Sequence, residues 1–409
     1  MTKLTVTALV VCLVVSPVVA QMTWTCATAN AGWSARQGLS SVVYEDTMWV
    51  MGGFGSDLFH DVWKSPDGAS WYRPTDAAQW SARYRHTSVV FSTRMWVLGG
   101  DAGSRQNDVW YSWNGADWTE ATAHAGWTAR QYHASVVFNN KMWVIGGYDG
   151  ANCSDVWYSS DGVNWYTATT NPGWSARYGH SVLVFNNKMW LLGGNDGSGK
   201  NDVWYSSDGA NWTQATSSAA WSARWAHTAV VFDNKMWVLG GTSGGSSKHD
   251  VWYSSDGTSW TQGTAAAEWT ARWGHTSVVL DNKIWVLGGN DGSNKNDVWY
   301  SDGVAVIDEQ DASPPRFIAL NGAYPCAFTE QTRIYYSLPR ACRVGLRIVS
   351  ANGARIRSLA CGDGTAGRHC ADWDGHDQSN HGVPEGVYFC LMSADNFTAA
   401  LKLVKLSQP

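Results

Sequence analysis

Six arginines recur along the chain, at Arg36, Arg83, Arg130, Arg177, Arg224 and Arg272, each three residues after a tryptophan in "WSAR" or "WTAR". A guanidinium fork binds a carboxylate through two parallel hydrogen bonds, so a ring of six would suit an acidic ligand. The residue after each arginine varies: Gln37, Tyr84, Gln131, Tyr178, Trp225 and Trp273. Rings beside guanidinium groups suit a stacked sugar or a peptide side chain. The candidate ligand-binding set is therefore the six arginines with Tyr84, Tyr178, Trp225 and Trp273. A structural alternative stands beside it. Each arginine could brace its own repeat against the preceding tryptophan, because a ligand rarely needs six copies of one contact.

Other groups offer less. His86, His133, His180, His227 and His275 stand three residues after their arginines, with Leu39 in the first copy. At the start of an apolar run they read as hydrogen-bonded core histidines rather than metal ligands. Asp61, Asp108, Asp155, Asp202, Asp250 and Asp297 also recur, in loops such as "NDGSGKND". A calcium loop needs several carboxylates spaced around one ion, whereas these loops supply mainly Gly, Ser and Lys. The aspartates are expected to cap the turn into the next strand. Only Glu45, Glu120 and Glu268 could act as glutamate acids or bases in the repeats, and none has an evident partner. The residues thus point to binding, with no catalytic group, no metal and no cofactor.

These side chains are positioned by a repeat. The tryptophans at 33, 80, 127, 174, 221 and 269 are spaced by 47 residues, and by 48 at the last step. Periods of this length mark propellers or solenoids. In the fourth copy, "HSVLVF" reads as one strand and "NNK" as a tight turn. "MWLLGG" reads as a second strand buried on both faces, its apolar run being continuous. "NDVWYS", the hairpin turn "SDG" and "NWTQAT" complete the copy, so each repeat is one four-stranded antiparallel unit. The short turns vary little and belong to one face. The "WSAR" crossover and the variable loop after Gly-Gly belong to the other, which is the face free to specialise.

The sixth copy stops at Asp302-Gly303 without a fourth strand. "MTWTCATANAGW" before the first copy supplies one, since Trp24 lies nine residues before Trp33 as Trp71 lies nine before Trp80. The N-terminal strand should complete the last unit and close a ring. The expected fold is all-β: a six-bladed β-propeller over residues 21–303, closed by an N-terminal strand. A linker at 304–316, with Pro314-Pro315, leads to a small β-sandwich over 317–409.

The chain has 409 residues and a net charge of −5, which gives no electrostatic case for nucleic acid. Residues 1–20 combine Lys3, a short apolar run and Val18-Val19-Ala20, the pattern of a cleaved secretory signal peptide. The expectation is a secreted or cell-surface protein with no membrane span in the mature chain. Of its 8 cysteines, Cys326, Cys342, Cys361, Cys370 and Cys390 crowd near the C-terminus. Cys361 and Cys370 flank "GDGTAGRH", read as a loop between paired strands, and are the candidate disulfide there.

The six Gly-Gly pairs, the "DVW" third strands and the fourth-strand tryptophans resemble the kelch family, from about Met22 to Ser301. That family includes both binding modules and enzymes. Its sugar oxidases use copper with a Cys-linked Tyr and have seven blades, and no matching Tyr-His pair stands near Cys26 or Cys153. A six-bladed exported kelch enzyme acting on sialic acid is the nearer enzymatic comparison. From about Ala323 to Leu406, "TRIYYSLPRACRVGLRIVSANGARIRSL", "AGRHCADWDGHD" and "VPEGVYFCLMSADNFTAALKLVKL" resemble the FlgD-type immunoglobulin-like module, related to type IX sorting domains. The two resemblances imply a propeller that binds a glycan or an extracellular protein, acidic ones included, with a C-terminal sorting or attachment module. A sugar-acting enzyme and a passive scaffold are the alternatives, and the sequence leaves the oligomeric state open.

Overall fold

A computed structural model describes residues 22–301, 318–324, 327–395 and 397–406. The signal-peptide reading of residues 1–20 and the linker reading of 304–316 lie outside the described residues. Residues 22–301 and 318–406 belong to two separate compact units.

The first unit consists of four-stranded antiparallel sheets, one per repeat. Blade 1 comprises Ser40–Tyr44, Thr47–Phe54, Leu58–Ser65 and Tyr72–Thr75. Blades 2 to 5 repeat this order and begin at Thr87, Ala134, Ser181 and Thr228. Blade 6 takes three strands from Thr276–Ser301 and its fourth from the N-terminus: Trp24–Thr28 pairs with Asn294–Ser301, Trp24 opposite Ser301. Trp24 meets Trp269 edge-on at 5.8 Å, the contact that Trp71 makes with Trp33 in blade 1. The Trp24 N–H donates to the Glu268 carboxylate at 3.0 Å, and Thr264 Oγ1 donates to Met22 O at 2.8 Å.

The second strand of each blade is buried on both faces, as its apolar run implies. Met189, Leu191 and Leu192 have no exposed surface. Neighbouring blades bury these strands together, so Met51 and Trp49 share a cluster with Trp80, Met95 and Val97. The Gly-Gly pair is a bulge where the chain must pass the next element closely. A Cβ on Gly100 would lie 2.6 Å from the Cβ of His86. The "SDG" turns are structural hairpins. In blade 1 the Gly68 N–H donates to Ser65 Oγ at 2.8 Å, and Asp67 accepts the Ala69 and Ser70 N–H groups. Gly68 has no side chain because Trp285 of blade 6 fills the space.

The second unit has a five-stranded and a three-stranded sheet. Ile334, Leu346, Ile348, Trp373, Cys390 and Leu403 share one core. The Asn352-Gly353 turn forms as expected, with the Ser350 N–H donating to Ala354 O. One local expectation needs correction. Cys361 lies in Arg355–Gly364 of the larger sheet and Cys370 in Gly367–Trp373 of the smaller one, so they do not flank a loop between mutually paired strands. Their strands turn to different partners, Cys361 opposite Gly345 and Cys370 opposite Tyr335. Cys370 carries a free thiol, and the Cys361 side chain lies outside the described residues.

Closure by the N-terminal strand has a direct test. Removing residues 22–29 exposes the edge of blade 6 and should abolish cooperative melting or cause aggregation. Trp24→Ala should cost about 3–5 kcal/mol by chemical denaturation, as truncation of a buried aromatic does. An unchanged denaturation curve for either variant would contradict closure.

Candidate functional site

The arginines are placed first, because they decide what the mouth can offer. Arg83 is fully buried. Its Nη1 and Nη2 donate to the two Asp108 oxygens, each at 2.6 Å. Nη1 also donates to Gly99 O, Nη2 to Ser81 Oγ and Nε to Ser81 O. All five donors are engaged. The same set recurs at Arg130, Arg177, Arg224 and Arg272, paired with Asp155, Asp202, Asp250 and Asp297, and with little change at Arg36–Asp61. Each guanidinium also sits over its repeat tryptophan, Arg83 at 5.9 Å from the Trp80 ring centre. The aspartate oxygen not fully used by arginine accepts an indole N–H two residues on, as Trp110 donates to Asp108 at 2.8 Å.

This corrects two expectations. Arg36, Arg83, Arg130, Arg177, Arg224 and Arg272 are internal braces and present no donors to a ligand. The recurring aspartates are neither turn caps nor calcium ligands but the other half of that brace. Burial alone would raise Asp155 and Asp250, yet hydrogen bonds from their arginines hold both below the ordinary carboxylate value.

Around the axis the chain closes a second structure. The Gly38 N–H donates to Gly274 O, Gly274 to Ala226, Ala226 to Gly179, Gly179 to Tyr132, Tyr132 to Arg85, and Arg85 back to Gly38, at 2.7–3.0 Å. These six backbone bonds form a closed hub at the centre of the crossover face. Every residue in it has φ between 51 and 64°. Glycine adopts that left-handed conformation freely, while a side chain there costs about 1 kcal/mol or more. Three blades supply glycine and blade 5 supplies alanine. Blades 2 and 3 supply Arg85 and Tyr132.

Those two side chains organise the mouth. The Arg85 guanidinium carbon lies 4.2 Å from the ring centres of both Tyr84 and Tyr132. Its Nη1 donates to Gln131 Oε1 at 3.0 Å. Tyr132 contacts Tyr178 at 5.6 Å and Trp225 at 5.8 Å, and Trp225 contacts Trp273 at 6.1 Å. Tyr84 lies against Phe54, and Tyr178 against Tyr148. The structure therefore brings Tyr84, Tyr178, Trp225 and Trp273 together as one rosette, and adds Arg85, Tyr132, Phe54 and Tyr148. Sequence reasoning weighed the first and third residues after each arginine and passed over the second. The series Gly38, Arg85, Tyr132, Gly179, Ala226, Gly274 carried the signal, since it alone alternates between no side chain and very large ones.

Beneath the hub lies a cavity of about 190 Å³ reaching Tyr132, Thr87 and the five histidines. Burial, and then the neighbouring arginine, pushes His86, His133, His180 and His275 down to about 3, so all four are neutral. His86 Nε2 bonds Ser40 Oγ at 2.8 Å and His133 Nε2 bonds Thr87 Oγ1 at 2.9 Å, each across a blade boundary. Among the described residues no cluster of His, Cys, Asp and Glu is arranged to hold a metal ion.

Comparison with protein families agrees with the repeated four-stranded sheets. Residues 160–305 match the KLHDC2/KLHL20/DRC7 Kelch-repeats domain and residues 129–158 match the Kelch motif. Residues 129–305 are thus similar to kelch repeats. Residues 327–396 match the FlgD Ig-like domain. No curated protein matches the chain. Kelch repeats indicate a β-propeller module for protein binding.

Two measurements check this assignment. Arg177→Ala leaves Asp202 buried without its partner and should destabilise the propeller by about 3–5 kcal/mol. A loss below about 1 kcal/mol in chemical denaturation would contradict the brace. The histidines bind protons more weakly folded than unfolded, so their contribution is complete above about pH 6.5 and declines as pH falls towards 3. His133→Leu, the residue type that blade 1 carries at Leu39, should reduce the slope of stability against pH by about 1.4 kcal/mol per unit between pH 4 and 6. An unchanged slope would show that His133 is not held neutral.

Proposed function

We propose that the propeller is a non-catalytic binding module that takes an extracellular protein partner at the Arg85–Tyr132 rosette. One observation carries the reading. Two bulky side chains occupy left-handed hub positions where three sibling blades use glycine. Unfavourable backbone conformations persist where function selects them. Arg85 forms no ion pair among the described residues and lies between two rings, an arrangement suited to a carboxylate from an acidic segment of the partner. Trp225 and Trp273 offer apolar area beside it. Secretion through residues 1–20, and attachment or sorting through the FlgD Ig-like domain, belong to this proposal. The enzymatic alternative loses one of its candidate acids, because Glu268 receives the Trp24 N–H at the ring closure.

The test is selection of a displayed 12-residue peptide library on the full chain, followed by calorimetry. The reading expects acidic peptides, with affinity falling about tenfold or more in Arg85→Gly, the loss of a charged hydrogen bond in a dry contact. Trp225→Ala and Trp273→Ala should weaken the same peptides with little salt dependence. Arg85→Gly should melt near the wild-type temperature, because glycine suits the hub, whereas Tyr132→Gly also removes a ring packed on Tyr178 and Trp225 and should melt lower while staying folded. Peptides that bind the Arg85→Gly/Tyr132→Gly double variant at full strength would refute this site.

A further inference from the structure

The opposite face is nearly uniform from blade to blade, and it departs from that rule in three consecutive blades. At the start of the fourth strand, blades 1 and 3 carry Tyr72 and Tyr166, where the other fourth strands carry Thr119, Thr213, Thr261 and Thr25. In the preceding hairpin turn blade 2 carries Trp113, where blades 3, 4 and 5 carry Ser160, Ser207 and Ser255. All three rings are exposed: Tyr72 by 60%, Trp113 by 49% and Tyr166 by 55%. Blades 4 to 6 present no such ring among the described residues. A further substitution accompanies Trp113. Blades 3 to 6 hold a lysine where blade 2 has Arg94, whose guanidinium carbon lies 4.5 Å from the ring centres of both Tyr111 and Trp113. Arg94 Nε is buried and unpartnered.

We propose that this rim, from Tyr72 through Trp113 to Tyr166, is a second binding site, separate from the mouth, that takes a neutral polysaccharide chain. The three rings have no contact with one another; Trp113 packs on Tyr111 and Tyr166 on Tyr158, each within its own blade. Separate exposed rings suit a ligand that offers an apolar C–H face at intervals, as successive pyranose units do. Polar groups stand beside each ring. Asn114 and Asp117 are hydrogen-bonded to each other next to Trp113, Asn164 precedes Tyr166 by two residues, and Arg73 follows Tyr72. Charge is balanced rather than positive. Arg94 forms no ion pair among the described residues, but Asp117 and Glu120 share the blade 2 hairpin, and Arg73 pairs with Asp76. That balance matches a neutral chain of hydroxyl groups and opposes an acidic polymer. The site is independent of the protein-binding reading, and its residues touch no part of the rosette.

The sibling blades supply safe test substitutions. Trp113→Ser, Tyr72→Thr and Tyr166→Thr each install the residue that the same hairpin carries elsewhere in the ring. The full chain is run in native gels containing hydroxyethylcellulose, laminarin, galactomannan or alginate. The proposal expects retardation by at least one of the three neutral polymers. Affinity should fall about tenfold in Trp113→Ser, the loss of one well-packed ring contact, and retardation should vanish in the triple variant. The double variant at Arg85 and Tyr132 should be retarded as the wild type is. Retardation by alginate alone, no retardation by any neutral polymer, or equal retardation of the triple variant would overturn it. So would sedimentation showing that the three rings join two copies of the chain.

Discussion

Each blade depends on one buried ion pair, between the arginine of the crossover and the aspartate that precedes the Val-Trp pair of the third strand. A guanidinium enclosed away from water is destabilising unless every donor is met. Here carboxylate, carbonyl and hydroxyl meet all five at Arg83. The pair ties three parts of the repeat to one point: the crossover, the Gly-Gly bulge through its carbonyl, and the third strand through the aspartate. The indole donated to the same aspartate adds the strand's tryptophan. These residues recur together because each completes another's hydrogen bonding. Their engagement also removes six positive charges from the mouth, so the binding proposed there falls to side chains outside the repeated pattern.

The hub supplies those side chains. Its closed circuit of backbone bonds requires six left-handed residues, and the repeat could have met that requirement with glycine throughout. Arg85 and Tyr132 break the pattern next to each other, and the rings of Tyr84, Tyr178 and Trp225 gather round them. Rigidity below and variation above are thus parts of one design. The cross-blade bonds of His86 and His133 and the inter-blade clusters hold the scaffold, while the second residue after each arginine is free to change. The exposed rings of blades 1 to 3 show the same logic on the opposite face.

Much of this was legible in the chain. The period, the doubly buried second strand and the missing sixth fourth strand together gave the ring and its closure, because each is a local pattern. The role of the arginines was legible only as one of two alternatives. Arg83 and Asp108 lie 25 residues apart, and only the blade's register brings them within hydrogen-bond distance. The hub was hidden for a similar reason, since no strand period marks Gly38, Arg85 and Tyr132 as one ring. In the C-terminal unit, Cys361 and Cys370 are close in sequence, but their strands lie in different sheets. That separation depends on long-range pairing.

The central claim is that the six repeated arginines are locked while Arg85 alone answers to the partner. Nuclear magnetic resonance of the chain labelled with ¹⁵N-arginine reads each guanidinium separately, before and after saturation with a selected acidic peptide. The account predicts six slowly exchanging guanidinium groups whose signals stay fixed, and one group, Arg85, that shifts and becomes protected. A peptide that shifts Arg224 or Arg272 and leaves Arg85 unchanged would contradict it.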